Sequence, residues 1–369
     1  MEDLGIDQKT FVSKQTKPLS EVNGSYTYFA EGDVLLAKIT PCFENGKLGI
    51  AANLINGIGF GSSEYIVFRP GKLVNKEWLY YFLSREAFRV EGVARMSGAV
   101  GHKRVAKEFI ESYRIPVPPL PEQMRIVGIL DESFDGITTA KANAEKNLQN
   151  ARALFESHLQ SVFAERGEGW VERRKPLADL CEFIVDCEHK TAPIQNEGIP
   201  SIRTPNIGKG KLLLDGVYRV SKATYTEWTR RAVPSAGDLI LAREAPAGNV
   251  AVIIPENLPL CLGQRTVLIR PKSEVFDSEF FANLLLQPEI QRKLLAHSRG
   301  ATVQHVNMKD IRALDVGSIP PLTTQRFIVE KVNSVSVEND RLISIYEQKL
   351  AVLDELKMSL LHQAFSGQL

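Results

Sequence analysis

Apolar residues recur at alternating three- and four-residue steps along two stretches of this chain, the spacing that lays one stripe along a long α-helix. In the first stretch Leu130, Phe134, Ile137, Ala144, Leu148, Ala151, Phe155 and Val162 mark the stripe, with Lys141 and His158 on two of its positions. In the second, Val332, Ile343, Tyr346, Leu350, Leu353, Leu360 and Ala364 mark it, interleaved with Ser336, Asn339 and Lys357. Residues 122–164 and 324–365 contain no proline, and Gly128 and Gly136 are their only glycines. Pro121 suits a first helical position, Thr323 an N-cap, and Gly167 and Gly367 suit the stops. Each stretch predicts a helix of about 40 residues, or about 60 Å at 1.5 Å per residue. A stripe that long has to be buried along its length. Either each helix packs on its own neighbouring module, or the two helices pair with each other. Pairing is the stronger reading, and antiparallel pairing follows because the chain returns through a whole module between them. The polar interruptions lower stability but fix register.

Outside the helices the period changes from 3.6 to 2. Tyr65-Ile66-Val67-Phe68-Arg69-Pro70 and Thr266-Val267-Leu268-Ile269-Arg270-Pro271 read as strands, as do Ala30 to Ala37 and Ala236 to Ala242, each opened by a Gly-Asp turn. Short amphipathic helices follow, near Trp78 to Val90 and Ser278 to His297. The chain is thus a duplication. Pro118-Pro119-Leu120-Pro121-Glu122-Gln123 returns as Pro320-Pro321-Leu322-Thr323-Thr324-Gln325, an offset of 202, and Leu154 to Phe163 returns as Leu356 to Phe365. An offset that large marks a domain-sized unit rather than a solenoid repeat, whose period is about 20 to 50 residues. The copies differ at their starts: 31 residues precede Gly32, whereas its counterpart Gly237 follows a module that runs back to Trp170. About 35 residues of the second module's opening have no counterpart in the first.

Composition narrows the class without naming it. The chain has 369 residues, 44% hydrophobic and 24% charged, as an ordinary water-soluble protein of two or three domains would. Forty-five basic and 44 acidic side chains leave a net charge of +1, so any nucleic-acid binding must come from local patches. Four scattered cysteines do not make a disulfide framework. No apolar run reaches membrane-spanning length, and MEDLGIDQK lacks the regions of a signal peptide. The expectation is a cytoplasmic protein with no membrane partner.

Several catalytic motifs fail on inspection. Asp186-x-Glu188-x-Lys190 resembles half of a nuclease metal site but has no further carboxylate nearby, and Cys181, Cys187 and His189 fall short of four zinc ligands. Gly57-Ile58-Gly59-Phe60-Gly61 lacks the spacing of a dinucleotide loop. There is no Walker A lysine motif and no Asn/Asp-Pro-Pro-Tyr/Phe string. No catalytic residue and no metal site are expected.

These parts, in this order, resemble the specificity (S) subunit of type I restriction-modification systems. Pro-Pro-Leu-Pro-Glu-Gln looks like the family's opening of its helical spacer. Asp186-Cys187-Glu188-His189-Lys190-Thr191-Ala192-Pro193, then Gly198 to Arg203 and Asn206 to Gly210, look like the start of a recognition domain. So does Gly300 to Val306 before the second spacer, with Gly98 to Arg104 as a weaker partner. The resemblance covers the whole chain and implies an α+β protein: two related mixed α/β target recognition domains separated by two long helices that form an antiparallel coiled coil, with an internal pseudo-two-fold repeat. The expected division is 1–118, 119–166, 167–320 and 321–369, with the first recognition domain beginning part-way in.

The resemblance also implies function. The chain would read a bipartite double-stranded DNA target, and scaffold two methyltransferase subunits and the restriction, or translocase, subunits. It would hold no cofactor, its partners using S-adenosylmethionine, ATP and magnesium. The DNA-contact candidates are Lys38, Lys47, His102, Lys103 and Arg104 in the first module. In the second they are Arg203, Asn206, Lys209, Lys211, Arg243, Asn249, Arg299 and Gln304. Arg and Lys can read guanine, Asn and Gln adenine, and the rest would grip phosphate. Two other readings remain: an inert coiled-coil scaffold, and a stand-alone DNA-modifying enzyme.

Overall fold

The computed structural model describes residues 2–22, 24, 26–99, 101–165, 169–172, 175–296 and 304–369. They form two units, Met1–Leu148 with Ile345–Leu369, and Gln149–Ser344, so each long helix contributes a half to each unit. The helices run Leu120–Ala164 and Leu322–Ser366, so Pro121 and Thr323 lie one residue inside the first turn, not at first position and N-cap. Gly367, at φ 77°, ends the second in the left-handed region that glycine reaches without strain. Gly167 lies outside the described residues.

In the first unit a four-stranded sheet has the order Thr10–Phe11, Leu48–Ala51, Val34–Ala37, Tyr65–Phe68, the first pair parallel and the others antiparallel. In the second the order is Cys181–Asp186, Thr266–Pro271, Leu239–Ala242, Val250–Val252, all antiparallel. The shared strands superpose in register. Leu35 faces Val67 and Leu36 faces Ile66, as Ile240 faces Leu268 and Leu241 faces Val267. Alternation sends one set of side chains to each side, so each sheet has two cores. Leu35, Ala37 and Tyr65 join Phe29 on one side of the first sheet, while Val34 and Leu36 join Trp78, Phe88 and the long-helix residues Ile126, Leu130 and Leu361 on the other. In the second unit Leu239 and Leu241 meet Phe280, Phe281, Phe163, Ile328 and Val332, while Ile240 and Ala242 meet Ile202, Ile207 and Leu262.

The Gly-Asp turn and the Arg-Pro strand end are two halves of one device. Gly32 and Gly237 take φ of 85° and 88°, turning the chain so that the next aspartate points inward. Asp33 accepts from Arg69 Nε at 2.9 Å and Nη2 at 2.7 Å and from the Ala30 N–H. Asp238 likewise accepts from Arg270 Nε and Nη2, at 2.7 and 2.8 Å, and from the Ser235 N–H. Burial opposes the charge on Asp33, but the hydrogen bonds from Arg69 and Ala30 and the guanidinium charge outweigh it and hold the carboxyl below its ordinary range.

Each amphipathic helix expected after these strands is two. Lys76–Ser84 and Glu86–Ala94 are parted by Arg85, which is extended (ψ 140°), and Ser278–Leu285 and Pro288–Leu294 are parted where Pro288 opens the second of them. Asn75 and Asp277 cap the first helix of each pair. The repeated glutamine then ties each module to its spacer. Gln123 Oε1 accepts from the Asn75 N–H, and its Nε2 donates to Leu73 O and Pro118 O. Gln325 does the same with Asp277, Val275 and Pro320.

Within the first unit the long helices pair antiparallel: Lys141 Nζ lies 2.7 Å from Asp354, and Arg125 donates to Leu369 O at 2.9 Å. Every residue of the expected stripes is buried or half-buried, the polar ones included.

Candidate nucleic-acid interface

The two modules hold their candidate residues on equivalent backbone. Val105 N–H donates to Lys38 O as Val306 N–H donates to Arg243 O, which makes Lys38 and Arg243 counterparts and sets Lys103 against Gln304 and Arg104 against His305. Ala37 N–H donates to Lys47 O as Ala242 N–H does to Asn249 O, pairing Lys47 with Asn249. Chemistry varies on a constant frame.

In the second unit Arg243 is the hub of a cluster at the strand ends. Its side chain, 11% exposed, donates to Asp186 Oδ2 at 2.8 Å and Val306 O at 3.0 Å, and lies 3.0 Å from His305 Nε2. Asp186 Oδ2 also lies 3.1 Å from His189 Nε2, while Asp186 Oδ1 has no hydrogen-bond partner. His305 Nδ1 is 3.2 Å from Glu244, and Glu244 pairs with Arg265 at 2.8 Å. Arg231 donates to the carbonyls of Asp186 and Cys187. Arg243 is therefore placed to hold the backbone and imidazole next to Gln304, which is exposed. Arg203 is exposed too, its guanidinium 4.4 Å from the Tyr218 ring.

The remaining described candidates of this module bond to partners outside that cluster. Asn206 accepts from the Arg203 N–H and donates to Leu213 O, and Asn249 donates to Ile207 O. Both amides thus hold their own loops. Lys209 and Lys211 each lie 3.0 Å from a long-helix carboxylate, Glu156 and Asp340. Between this loop and the two half-helices of the unit is a cleft of about 890 Å³, walled by Phe155, Leu159, Leu213, Val332 and Ile343. Arg299 lies outside the described residues, as do 300–303 of the Gly300 to Val306 segment.

In the first unit Arg104 embraces Glu64 with contacts of 2.7–3.2 Å, and these hydrogen bonds hold the Glu64 carboxyl below its ordinary range. Its Nη1 also donates to His102 O. Lys103 O accepts from Thr40, and His102, Lys103 and Arg104 are all exposed. Lys38 and Lys47 are half-buried. The loop opposite the long helices is again tied to both, with Lys9 on Asp131 at 2.5 Å and Asp7 on Lys357 at 2.8 Å. The Asp7–Lys357 pair reverses the polarity of Lys209–Glu156.

Sequence reasoning did not single out His305, Glu244 or Arg265, nor the bond between Asp186 and Arg243. The string Asp186 to Lys190 holds one end of that bond, but the other is 57 residues away in sequence. The zinc-like trio is dispersed: Cys181 and Cys187 are buried in different cores, and burial pushes the Cys181 thiol up to about 12. Among the described residues no group of three or more His, Cys, Asp or Glu is disposed to hold a metal, and no helix is long and apolar enough to cross a membrane.

A duplicated module that keeps its frame while varying the charges at its strand ends defines a recognition protein. The family model for the type I restriction modification DNA specificity domain matches residues 7–149 and 168–353, and the chain belongs to that family, whose members recognise rather than catalyse. It is 44% identical to the specificity subunit of the Escherichia coli type I restriction enzyme EcoAI over 437 aligned positions, covering 93% of this chain and 71% of that subunit. The MjaVIII specificity subunit of Methanocaldococcus jannaschii is 23% identical, over 82% of this chain and 72% of its own. A solved chain of a type I restriction-modification assembly shares the fold with a TM-score of 0.75 at 20% identity, covering 98% of this chain and 88% of that one. The HsdS subunit of Thermoanaerobacter tengcongensis does so with 0.60, again at 20% identity, over 98% and 87%.

Proposed function

We propose that this chain is the DNA-reading and scaffolding subunit of a type I methyltransferase and restriction assembly, with one half of a bipartite target read by each module. The observation that carries this is the equivalence of Lys103 with Gln304, both exposed on matching backbone: one frame presents an ammonium in one module and an amide in the other, as two different half-sites require. Arg203, Gln304, His102, Lys103 and Arg104 are exposed and contact DNA directly. Arg243 is held inward and sets the position of its neighbours. Lys209 and Lys211 meet phosphate only by leaving Glu156 and Asp340; Asn206, Asn249, Lys38 and Lys47 shape the loops. Two methyltransferase subunits dock on the chain and supply S-adenosylmethionine, and restriction subunits use ATP and magnesium.

The test is hydroxyl-radical footprinting of the chain assembled with its methyltransferase partner, before and after charge reversal of Lys103 and Arg104. Loss of protection over one half-site is expected. Unchanged binding would instead favour an inert scaffold, and turnover of DNA by the purified chain alone would favour an enzyme.

A further inference from the structure

In the second unit the buried charges stand directly behind the exposed amide of Gln304. Arg243 has five N–H donors and no acceptor, and three donors are engaged inside the protein: Nε on Val306 O at 3.0 Å, Nη1 on Asp186 Oδ2 at 2.8 Å and Nη2 on His305 Nε2 at 3.0 Å. Because a guanidinium only donates, His305 Nε2 is the accepting nitrogen, which puts the ring proton on Nδ1, 3.2 Å from Glu244 Oε1. Glu244 Oε2 in turn receives Arg265 at 2.8 Å. The backbone closes the same circuit: Val306 N–H donates to Arg243 O and Arg243 N–H to Arg265 O, each at 2.8 Å. The network therefore grips both residues that follow Gln304, His305 by its ring and Val306 by its N–H and C=O, while Gln304 itself is exposed. A related tie exists in the first unit. Lys38 N–H donates to Glu64 O, which makes Glu64 the counterpart of Arg265, and Arg104 meets Glu64 directly at 2.7 Å. Both modules thus tie the residue after Lys103 or Gln304 to the one that precedes the Tyr65–Phe68 or Thr266–Pro271 strand.

We propose that Asp186 is a positioning residue for DNA reading: without touching DNA, it acts through Arg243 to fix the backbone that aims Gln304. The inference rests on the reading that Gln304 contacts the second half-site. Asp186 is 15% exposed, and its Oδ2 is already engaged by Arg243 and lies 3.1 Å from His189. A carboxylate turned to the duplex would repel phosphate, so its place behind Arg243 is the productive one. Among the described residues Asp186 is the only carboxylate paired with Arg243. Removing that negative charge leaves a nearly buried guanidinium uncompensated, a strongly unfavourable state. Arg243 then turns out to solvent, and its holds on Val306 O and on the His305 ring are lost together. Gln304 keeps its chemistry and loses its aim. A base-reading amide tolerates little displacement, because both of its bonds to adenine have to be made at once.

The experiment uses the full chain assembled with its methyltransferase partner, a duplex carrying the target found by methylation mapping, and duplexes changed at single positions. Gln304→Ala identifies the position that Gln304 reads. Asp186→Asn is expected to lower discrimination at that position about tenfold, within the range of one bidentate contact, with the first half-site unchanged. Affinity for non-specific DNA should not fall, and its salt dependence should steepen by up to about one as the released Arg243 reaches phosphate. In the free chain, amide hydrogen exchange at Val306 should quicken. Asp186→Glu should restore part of the discrimination, and Asp186→Asn combined with Gln304→Ala should discriminate no worse than Gln304→Ala alone. If Asp186→Asn does not fold, Arg243→Lys, which keeps its charge but cannot reach all three partners together, should give the same loss. Unchanged discrimination or unchanged Val306 exchange, where the Gln304→Ala control does relax a position, would overturn the proposal and leave the DNA reading standing. A Gln304→Ala chain that discriminates as the native one does would overturn both. Equal weakening on every sequence would mark a merely structural role, and additive losses in the double variant an independent one; either result would overturn the proposal.

Discussion

Gln123 and Gln325 show how much one repeated residue can carry. Both are fully buried, and each amide satisfies three backbone groups at the joint between module and spacer. Gln123→Leu leaves the Asn75 N–H and two carbonyls without partners, which should cost roughly 2–4 kcal/mol on the scale of buried unsatisfied groups. Urea denaturation should show it, and Gln325→Leu should weaken the second unit alike. Asp33 gives a pH signature. Its pKa is depressed when folded, so its stabilisation is complete above the ordinary carboxylate value of about 3.9 and is lost as pH falls through the lower folded value. Asp33→Asn should therefore be less stable than the native chain at neutral pH, with the gap closing below about pH 4; urea midpoints from pH 6 to 3 would check this. The repeated Gln, Gly-Asp and Arg-Pro were visible as letters, but their bonds were not. The Asp–Arg bonds and those from each glutamine to its module join residues more than 30 positions apart, and pairing at that range leaves no local period.

The long helices were the most legible elements because their stripe is a local property. Residues spaced by three and four share a face whatever the rest of the chain does, and all of the expected seam positions are buried or half-buried. The break at Arg85 was not legible: nothing in Trp78 to Val90 forbids helix, and only the fold shows Phe82 and Phe88, on either side of the break, buried in one core. Helix length should be the ruler of the target if the proposed reading holds. Inserting one heptad in each long helix keeps the stripe in phase and should lengthen the unread gap while leaving both half-sites unchanged. Methylation mapping that returned the original gap would exclude the helices as the spacer.

At the scale of the molecule, duplication makes the modules exchangeable. Replacing residues 170–320 with those of a relative should change one half-site and leave the other intact, read by sequencing the methylated positions. Within that module, loss of a base contact such as Arg203→Ala should cost about 1–3 kcal/mol and relax one position. Lys209→Ala should instead affect all sequences alike, lowering the salt slope by about one if phosphate contact is made, and not at all if Lys209 stays on Glu156. The sequence by itself determined the duplication, the long helices, the strands common to both copies and the family, because each rests on periodicity or on ordered repetition along one dimension. Only the tertiary structure decided that Arg243 is held inward by Asp186, and that Lys209 and Lys211 face helix carboxylates. Those facts depend on which side chains meet across the fold, and a charged residue reads the same in sequence whether its partner is a carboxylate, a phosphate or water.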